Sequence, residues 1–261
     1  MFINNISASK LDKYDKCPRS YRYRYVDQIP EDFSGESNTE ALQFGSYIHQ
    51  IFEENYDNPT EAKLLSEARR LRPNYKFTGR EDDVVKAIRN FKKFNDKLTK
   101  TIAVEQNFKL EIPDHDFSIN GFIDRIVEGK DGGLLIIDYK TGRTMKTRSE
   151  LMKDSQMMLY TFASSKLFNV PIEKIVAGHY YPIQDKLITV QLTANAVNGF
   201  VLKYIKNRIW EIRKKKYNEF PPKKHKFCDW CGYQKICPLF PVDQSLVALA
   251  GKLSKSKNFS V

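Results

Sequence analysis

The chain has 261 residues, of which 41% are hydrophobic and 29% charged, and its formal net charge is +11 at pH 7. This composition excludes disordered, collagen-like and coiled-coil proteins, and no apolar run approaches the roughly 18 residues of a bilayer-spanning helix. The first residues also lack the apolar segment of a secretory signal, so we expect a cytoplasmic protein without a membrane partner, whose positive charge suits a polyanion.

The predicted elements begin with helices. A capping box at Ser9-Lys-Leu-Asp12 predicts a short helix that ends near Cys17. Apolar residues at helical spacing predict a second helix, which carries His49, and then helices over 60–71 and 80–98. We interpret the last two as structural.

After these helices, the apolar residues no longer recur at helical spacing but alternate with polar ones, as in strands. Alternating apolar residues predict strands over 102–113, 117–128 and 134–140, and a glycine-rich turn joins the last two into a hairpin. The remaining predicted elements are a helix over 149–168, strands over 174–181 and 186–192, and a helix over 193–213 with Thr193 as its cap.

The predicted hairpin brings two carboxylates together. Asp138 and Lys140 share a face because they lie two residues apart on a strand. If the hairpin is symmetric about Asp131, Asp124 lies opposite Asp138. Like charges in that position are destabilising unless a group such as Mg²⁺ or Mn²⁺ compensates them. The alternative is an ordinary surface network in which Asp124 pairs with Arg125 or Lys140.

Four short motifs follow one another between residues 45 and 160. They are Gly45-x-x-x-His49, Gly121-x-x-Asp124-Arg125, Asp138-Tyr-Lys140-Thr-Gly142 and Gln156-x-x-x-Tyr160. In kind and order they resemble the RecB-like branch of the PD-(D/E)XK nucleases, which includes exonucleases of CRISPR adaptation and of the AddB type. The resemblance implies an α/β fold with a restriction-endonuclease-like core, in which helices flank a central mixed sheet.

The same resemblance implies roles for the motif residues. His49, Asp124 and Asp138 would bind Mg²⁺ or Mn²⁺ together with the backbone carbonyl of Tyr139, and Lys140 would position or activate the nucleophile. The catalytic candidates are therefore Asp124, Asp138, Lys140 and His49. The residues expected to bind substrate or brace the site are Gln156, Tyr160 and Arg125, although packing explains the helical spacing of the first two equally well. Glu105 is an additional acidic candidate.

The four cysteines form a second candidate site. They are Cys17 near the start of the chain and Cys228, Cys231 and Cys237 near its end. A C-x-x-C step lets two thiolates reach one metal centre, and four thiolates complete a tetrahedral or cluster site. The resembled family includes members with one early and three late cysteines around an iron–sulfur cluster, which implies a [4Fe-4S] cluster here. Structural zinc is the main alternative, while disulfides are disfavoured in a reducing compartment.

We expect a single nuclease domain over residues 1–261. Its core would span about 40–213, the cysteine cluster would join N- and C-terminal segments at about 7–30 and 220–245, and a mobile tail would follow residue 251.

The expected function is that of a metal-dependent DNA exonuclease acting on single-stranded DNA or free ends. Aromatic and basic residues alternate over 21–25 and near 226–230, a pattern that can combine base stacking with phosphate attraction. The chain carries no phosphate-binding loop of a motor, so a helicase or recombination protein is a candidate partner. The alternatives are a structure-specific or flap endonuclease and a non-catalytic iron–sulfur subunit that binds DNA.

Overall fold

The computed structural model describes residues 4–31 and 39–257. The chain divides into two compact units: the larger comprises Phe2–Ala8 and Glu40–Trp210, and the smaller comprises Ser9–Thr39 and Glu211–Val261. Among the described residues, no helix combines the length and apolar character that a bilayer crossing requires. Whether the whole chain acts as a single domain stays a prediction.

The described elements come mostly in runs of helices and runs of strands along the chain. The helices are α1 (Ala8–Lys16), α2 (Pro18–Tyr21), α3 (Thr39–Glu54), α4 (Glu61–Leu71), α5 (Glu81–Asn95), α6 (Arg148–Leu151), α7 (Ser155–Phe168), α8 (Ala194–Gly199), α9 (Lys206–Lys214) and α10 (Gln244–Lys257). The strands are β1 (Asn5–Ile6), β2 (Thr101–Glu111), β3 (Ser118–Glu128), β4 (Leu134–Tyr139), β5 (Ile175–Tyr181) and β6 (Lys186–Gln191).

The strands form one mixed sheet in the larger unit. Its order is β1-β3-β4-β5-β6, with β2 also paired to β3. The β1–β3 and β4–β5 pairs are parallel, and the other pairs are antiparallel. The pairs from Arg125↔Ile137 to Glu128↔Leu134 confirm the register expected from a hairpin symmetric about Asp131. The structure thus confirms the predicted α/β fold, in which helices flank a central mixed sheet.

One core lies between one face of this sheet and helices α3, α4 and α5. The Phe52 and Phe91 rings stack with centroids 3.9 Å apart. The Tyr139 ring makes edge-to-face contacts with both of them. Ile137 and Tyr180 reach this core from the sheet. Because side chains alternate along a strand, Asp138 lies on the opposite face, towards α7.

Replacing Phe91 with alanine is expected to lower the free energy of unfolding by about 3–5 kcal/mol, since Phe91 is completely buried and its loss leaves a cavity. Urea denaturation followed by circular dichroism measures the change. Phe122→Ala is the matched control, because the Phe122 side chain is 55% exposed. A difference below about 1 kcal/mol between the two variants would contradict this account of the core.

Three of the predicted helices differ from the structure. Helix α1 begins at Ala8, so Ser9 lies inside the helix and is not its cap. The helix predicted over 149–168 is interrupted between α6 and α7, because the Asp154 side chain accepts hydrogen bonds from the backbone N–H groups of Gln156 and Met157 and starts a new helix. Thr193 caps α8 as predicted, but a π-helical stretch, Phe200–Ile205, separates α8 from α9.

The smaller unit has its own core. The Tyr23 hydroxyl donates a hydrogen bond to the Ile236 carbonyl, and the Tyr233 hydroxyl donates one to the Ile29 carbonyl, both over 3.0 Å. Residues 252–257, predicted as part of a mobile tail, belong to helix α10; the rest of that predicted tail lies outside the described residues.

Candidate active site

A row of polar side chains crosses the middle of the sheet. Asp138 on β4 pairs in register with His179 on β5. The pairing between β3 and β4 ends at Arg125, and Asp124 is the next residue of β3 beyond it. On β2, Glu105 lies between the residues paired with Arg125 and Ile123, so it is opposite Asp124. Four neighbouring strands therefore each contribute one titratable residue to the same row. Such a row inside a sheet needs compensation, because like charges on adjacent strands repel.

Two side chains of this row, Glu105 and Asp124, converge with His49 of α3 closely enough to share a metal ion. One ligand atom from each of His49, Glu105 and Asp124 lies within 4.8 Å of the other two, and among the described residues this is the group with that geometry. His49 Nδ1 is 3.4 Å from Asp124 Oδ2. The Tyr139 carbonyl oxygen lies 2.8 Å from His49 Nε2, and the Tyr139 amide donates a hydrogen bond of 2.7 Å to Asp124. Helix α3 and strands β2, β3 and β4 thus supply the site together.

Asp138 and Lys140 belong to an adjoining hydrogen-bonded network. Lys140 Nζ lies 2.6 Å from Asp138 Oδ2 and donates a hydrogen bond of 3.0 Å to Gln156 Oε1. The amide of Gln156 in turn donates to Asp138 Oδ1 over 2.7 Å and to the Tyr160 hydroxyl over 2.8 Å. The start of α7, fixed by Asp154, places Gln156 where it can contact both charged groups.

Burial and mutual repulsion shift the protonation of the site. Burial and the neighbouring Asp138 raise the pKa of Asp124 well above its ordinary value. Burial, together with Glu53 and Asp138, raises the pKa of Glu105. Burial alone would lower the pKa of Lys140, but the attraction of Asp138 and Asp124 outweighs it and raises that pKa. The pocket therefore concentrates negative charge that a cation would stabilise.

Burial also lowers the pKa of His49, which favours the neutral imidazole that binds metals.

The site opens into a cavity of 710 Å³ that is lined by His49, Glu105, Asp124 and Lys140, among others. Gly45, one helical turn before His49, also lines it, and a Cβ atom there would lie 3.4 Å from Thr141 Oγ1. The missing side chain therefore leaves room between α3 and the segment that follows β4.

Arg125 does not reach this cavity. Its guanidinium is on the opposite face of the sheet, where it donates hydrogen bonds of 2.6 Å to Asn95 Oδ1 and 2.7 Å to Thr101 Oγ1. Only 2% of Arg125 is exposed. Of the two roles expected for it, this position favours bracing the strands over binding substrate.

Two residues of the row were not central to the predicted site. Glu105 has a backbone φ of +44°, a conformation that the alternating pattern of β2 does not reveal and that is common at functional sites. His179 lies in an apolar strand without a motif, and its only signal would have been the register between β4 and β5. Burial lowers the pKa of His179 to about 4, so its ring is neutral.

The four cysteines all lie in the smaller unit and form no disulfide. Cys17 and Cys228 are buried, and both sulfur atoms accept hydrogen bonds from backbone N–H groups, Cys17 over 3.5 Å and Cys228 over 3.2 Å. Burial raises the pKa of Cys231 and of Cys237, and the nearby thiol of Cys17 raises both further. The thiol of the early segment therefore interacts electrostatically with two thiols of the late segment.

The two aromatic and basic segments have different environments. Tyr21 and Tyr23 are 1% and 7% exposed, so they pack inside the smaller unit and cannot serve as a stacking platform for bases. Phe227 and Trp230 are 50% and 57% exposed, and the ammonium of Lys226 lies 5.1 Å from the centre of the Phe227 ring. The second segment therefore keeps its aromatic faces accessible.

Comparison with known proteins places these features in context. The PD-(D/E)XK nuclease superfamily model matches residues 5–238. An ATP-dependent helicase/deoxyribonuclease subunit of Streptococcus uberis is 28% identical over 54% of this chain and 14% of its own length. The protein of the same description from Clostridium perfringens is 25% identical over 77% of this chain and 21% of its own length. The chain thus spans about a fifth or less of these relatives.

A solved structure gives a likeness of fold alone. It is a protein of Eubacterium rectale, provisionally described as an exonuclease, with a TM-score of 0.54 and 12% sequence identity. The match covers 94% of this chain and 92% of that one.

Proposed function

Because the chain belongs to the PD-(D/E)XK nuclease superfamily, we propose that it is a metal-dependent DNA exonuclease that prefers single strands or free ends. The observation that carries the proposal is the convergence of His49, Asp124 and Glu105 in the cavity that Lys140 also lines. The likeness to subunits of helicase/deoxyribonucleases supports DNA as the substrate.

The donors of this pocket fit Mg²⁺ or Mn²⁺. Carboxylate oxygens are the hard ligands that these ions prefer, and a neutral imidazole can join them around Mn²⁺. We assign His49, Asp124 and Asp138 as ligands with the Tyr139 carbonyl, and add Glu105 because its carboxylate lies with His49 and Asp124. A bound ion would supply charge neutralisation at the phosphate and a more acidic water.

The protein's own side chains would position and stabilise the reacting groups. The Lys140 ammonium, with its raised pKa, stays protonated and can hold a phosphate oxygen or the attacking water at the mouth of the pocket. Gln156 links Lys140 and Asp138 because it contacts both. Tyr160 steadies the amide of Gln156 from the next helical turn.

Digestion of three DNA substrates tests the reaction and its alternative. With Mg²⁺ or Mn²⁺, an exonuclease degrades end-labelled linear single strands and leaves closed circular single strands intact. Equal cleavage of circular and linear strands would overturn the exonuclease assignment, and a product cut at the junction of a flap would instead establish the structure-specific endonuclease. Binding without cleavage of any substrate would favour a non-catalytic DNA-binding subunit.

The preference for single strands rests on the exposed aromatic pair. Replacing Trp230 with alanine is expected to weaken binding of a single-stranded oligonucleotide about 5- to 150-fold, because stacking one base on an aromatic ring contributes about 1–3 kcal/mol. Fluorescence anisotropy with metal omitted measures the dissociation constant. Leu239→Ala is the control, since Leu239 is a 44% exposed apolar residue of the same unit without a ring. Equal affinities of the two variants would remove this support.

We further propose that Cys17, Cys228, Cys231 and Cys237 bind a [4Fe-4S] cluster, with structural zinc as the alternative. Four thiols without disulfides, two of them accepting hydrogen bonds from backbone amides, fit a centre whose properties depend on hydrogen bonds to sulfur. The cluster would hold the early and late segments of the smaller unit together. It would contribute folding energy, not catalysis.

A partner is part of the proposal as well. The relatives are subunits of helicase/deoxyribonucleases, and a helicase or recombination protein that delivers DNA ends would suit an enzyme of this kind.

A further inference from the structure

His179 is a buried histidine that directly faces one of the proposed metal ligands. Its backbone pairs with that of Asp138 across β4 and β5, and both residues are 1% exposed. His179 Nε2 lies 3.8 Å from Asp138 Oδ2, and this nitrogen has no hydrogen-bond partner among the described residues. A buried polar atom without a partner is costly, so its retention beside a carboxylate needs an explanation.

The surroundings of the other ring nitrogen indicate where the proton lies. The Tyr181 hydroxyl accepts a hydrogen bond of 2.9 Å from the backbone N–H of Lys146 and lies 3.3 Å from His179 Nδ1. The phenol keeps its own proton when it accepts from Lys146, so it can donate that proton to Nδ1. Donation to Nδ1 makes that atom an acceptor and leaves the proton of the neutral ring on Nε2.

We infer that His179 is a positioning residue for Asp138: the Tyr181 hydroxyl fixes the tautomer in which His179 Nε2–H points at Asp138 Oδ2 and orients that carboxylate for metal binding. The other tautomer would direct a lone pair at the carboxylate and is therefore disfavoured. The inference rests on the proposed function, since it assigns a role within the same site.

The arrangement also explains how Lys140 can act on substrate. In the structure Lys140 Nζ lies 2.6 Å from Asp138 Oδ2, and Gln156 holds Oδ1. When the ammonium turns towards a phosphate, Oδ2 loses its cation. The N–H of His179 is then the donor that can close on this oxygen, so the carboxylate keeps its orientation while Lys140 moves. Hydrogen bonds of this kind around metal ligands typically contribute about 10- to 100-fold in activity or metal affinity.

The test combines substitutions with a spectroscopic readout. Relative to the parent, His179→Leu is expected to lower kcat about 10- to 100-fold and to raise the Mn²⁺ concentration for half-maximal rate, with unchanged oligonucleotide affinity. His179→Gln, whose amide nitrogen can occupy the Nε2 position, is expected to recover most of the rate. A structural role alone would not produce this rescue, and thermal melts identify any variant that fails to fold.

Nitrogen NMR of histidine-labelled protein tests the tautomer without any enzymatic assay. We expect the Nε2–H form for His179 in the parent and a mixture of tautomers in Tyr181→Phe, which keeps the ring but loses the hydroxyl. An Nδ1–H tautomer in the parent, or full kcat in a folded His179→Leu variant, would overturn the inference. If the parent is inactive on every DNA substrate but shows the Nε2–H form, the proposed function fails while the tautomer assignment stands.

Discussion

Replacing Asp138 with asparagine is expected to reduce the rate of metal-dependent DNA hydrolysis by about 10³-fold. Removing one preorganised electrostatic group from an active site typically costs about 10²- to 10³-fold in rate, and this substitution has two effects. It removes a charged oxygen that we assign to the metal, and it removes the partner of Lys140, which lies 2.6 Å from that carboxylate. Asparagine has nearly the same shape, so the fold should be retained.

Asp131→Asn is the matched control for this experiment. Asp131 lies in the turn of the same hairpin, and its backbone φ of +52° is one that asparagine adopts readily. Both variants change one carboxylate to an amide on the same hairpin. Initial rates on linear single-stranded DNA at saturating Mn²⁺ give the comparison. An Asp138→Asn protein that keeps more than a tenth of the control's rate would show that the site has been wrongly assigned.

The second large effect concerns the cysteines. Replacing Cys17 with serine is expected to remove the brown colour and the bound iron of anaerobically purified protein, about four atoms per chain for a [4Fe-4S] cluster. It should also lower the melting temperature, because metal bound only by the folded state contributes folding energy. Cys17 is the informative position because it is the one cysteine from the early segment, so its loss separates that segment from the other three.

Lys16→Ala serves as the control. Lys16 directly precedes Cys17 in the sequence, and its side chain is 58% exposed. Metal analysis distinguishes the candidates: colourless parent protein with one zinc per chain would establish the zinc alternative. A Cys17→Ser variant that retains full iron and an unchanged melting temperature would contradict any metal centre at this cysteine.

The hairpin and its register were predictable because the information is local. The alternation of apolar residues sets which side chains face the core, and the turn around Asp131 fixes which residues of β3 and β4 are opposite one another. The motifs then indicated His49, Lys140 and Gln156, although no periodic pattern distinguishes them from ordinary helix or strand residues. Helix α3 became relevant only because it carries one of these motifs.

The rest of the site depends on contacts between distant segments. Glu105 reaches the pocket through a left-handed backbone conformation in β2. Glycine is the residue that usually indicates this conformation, and the sequence has glutamate at that position. His179 is opposite Asp138 only because β5 returns parallel to β4 after α7, and an apolar strand does not reveal its neighbour. Asp154 interrupts the helix predicted over 149–168 and starts α7, because its side chain accepts hydrogen bonds from the backbone N–H groups of the new helix.

The row of four residues across β2 to β5 makes the chemistry dependent on strand alignment. Side chains alternate with a period of two, so a slip of one residue between β3 and β4 would turn Asp138 away from the pocket and present Ile137 in its place. The turn that prevents this slip contains Gly133, where a methyl group would clash with the carbonyl oxygen of Lys174. Alignment of the proposed site is therefore set at the far end of the hairpin, and a substitution there is expected to inactivate a folded protein whose proposed ligands are all present.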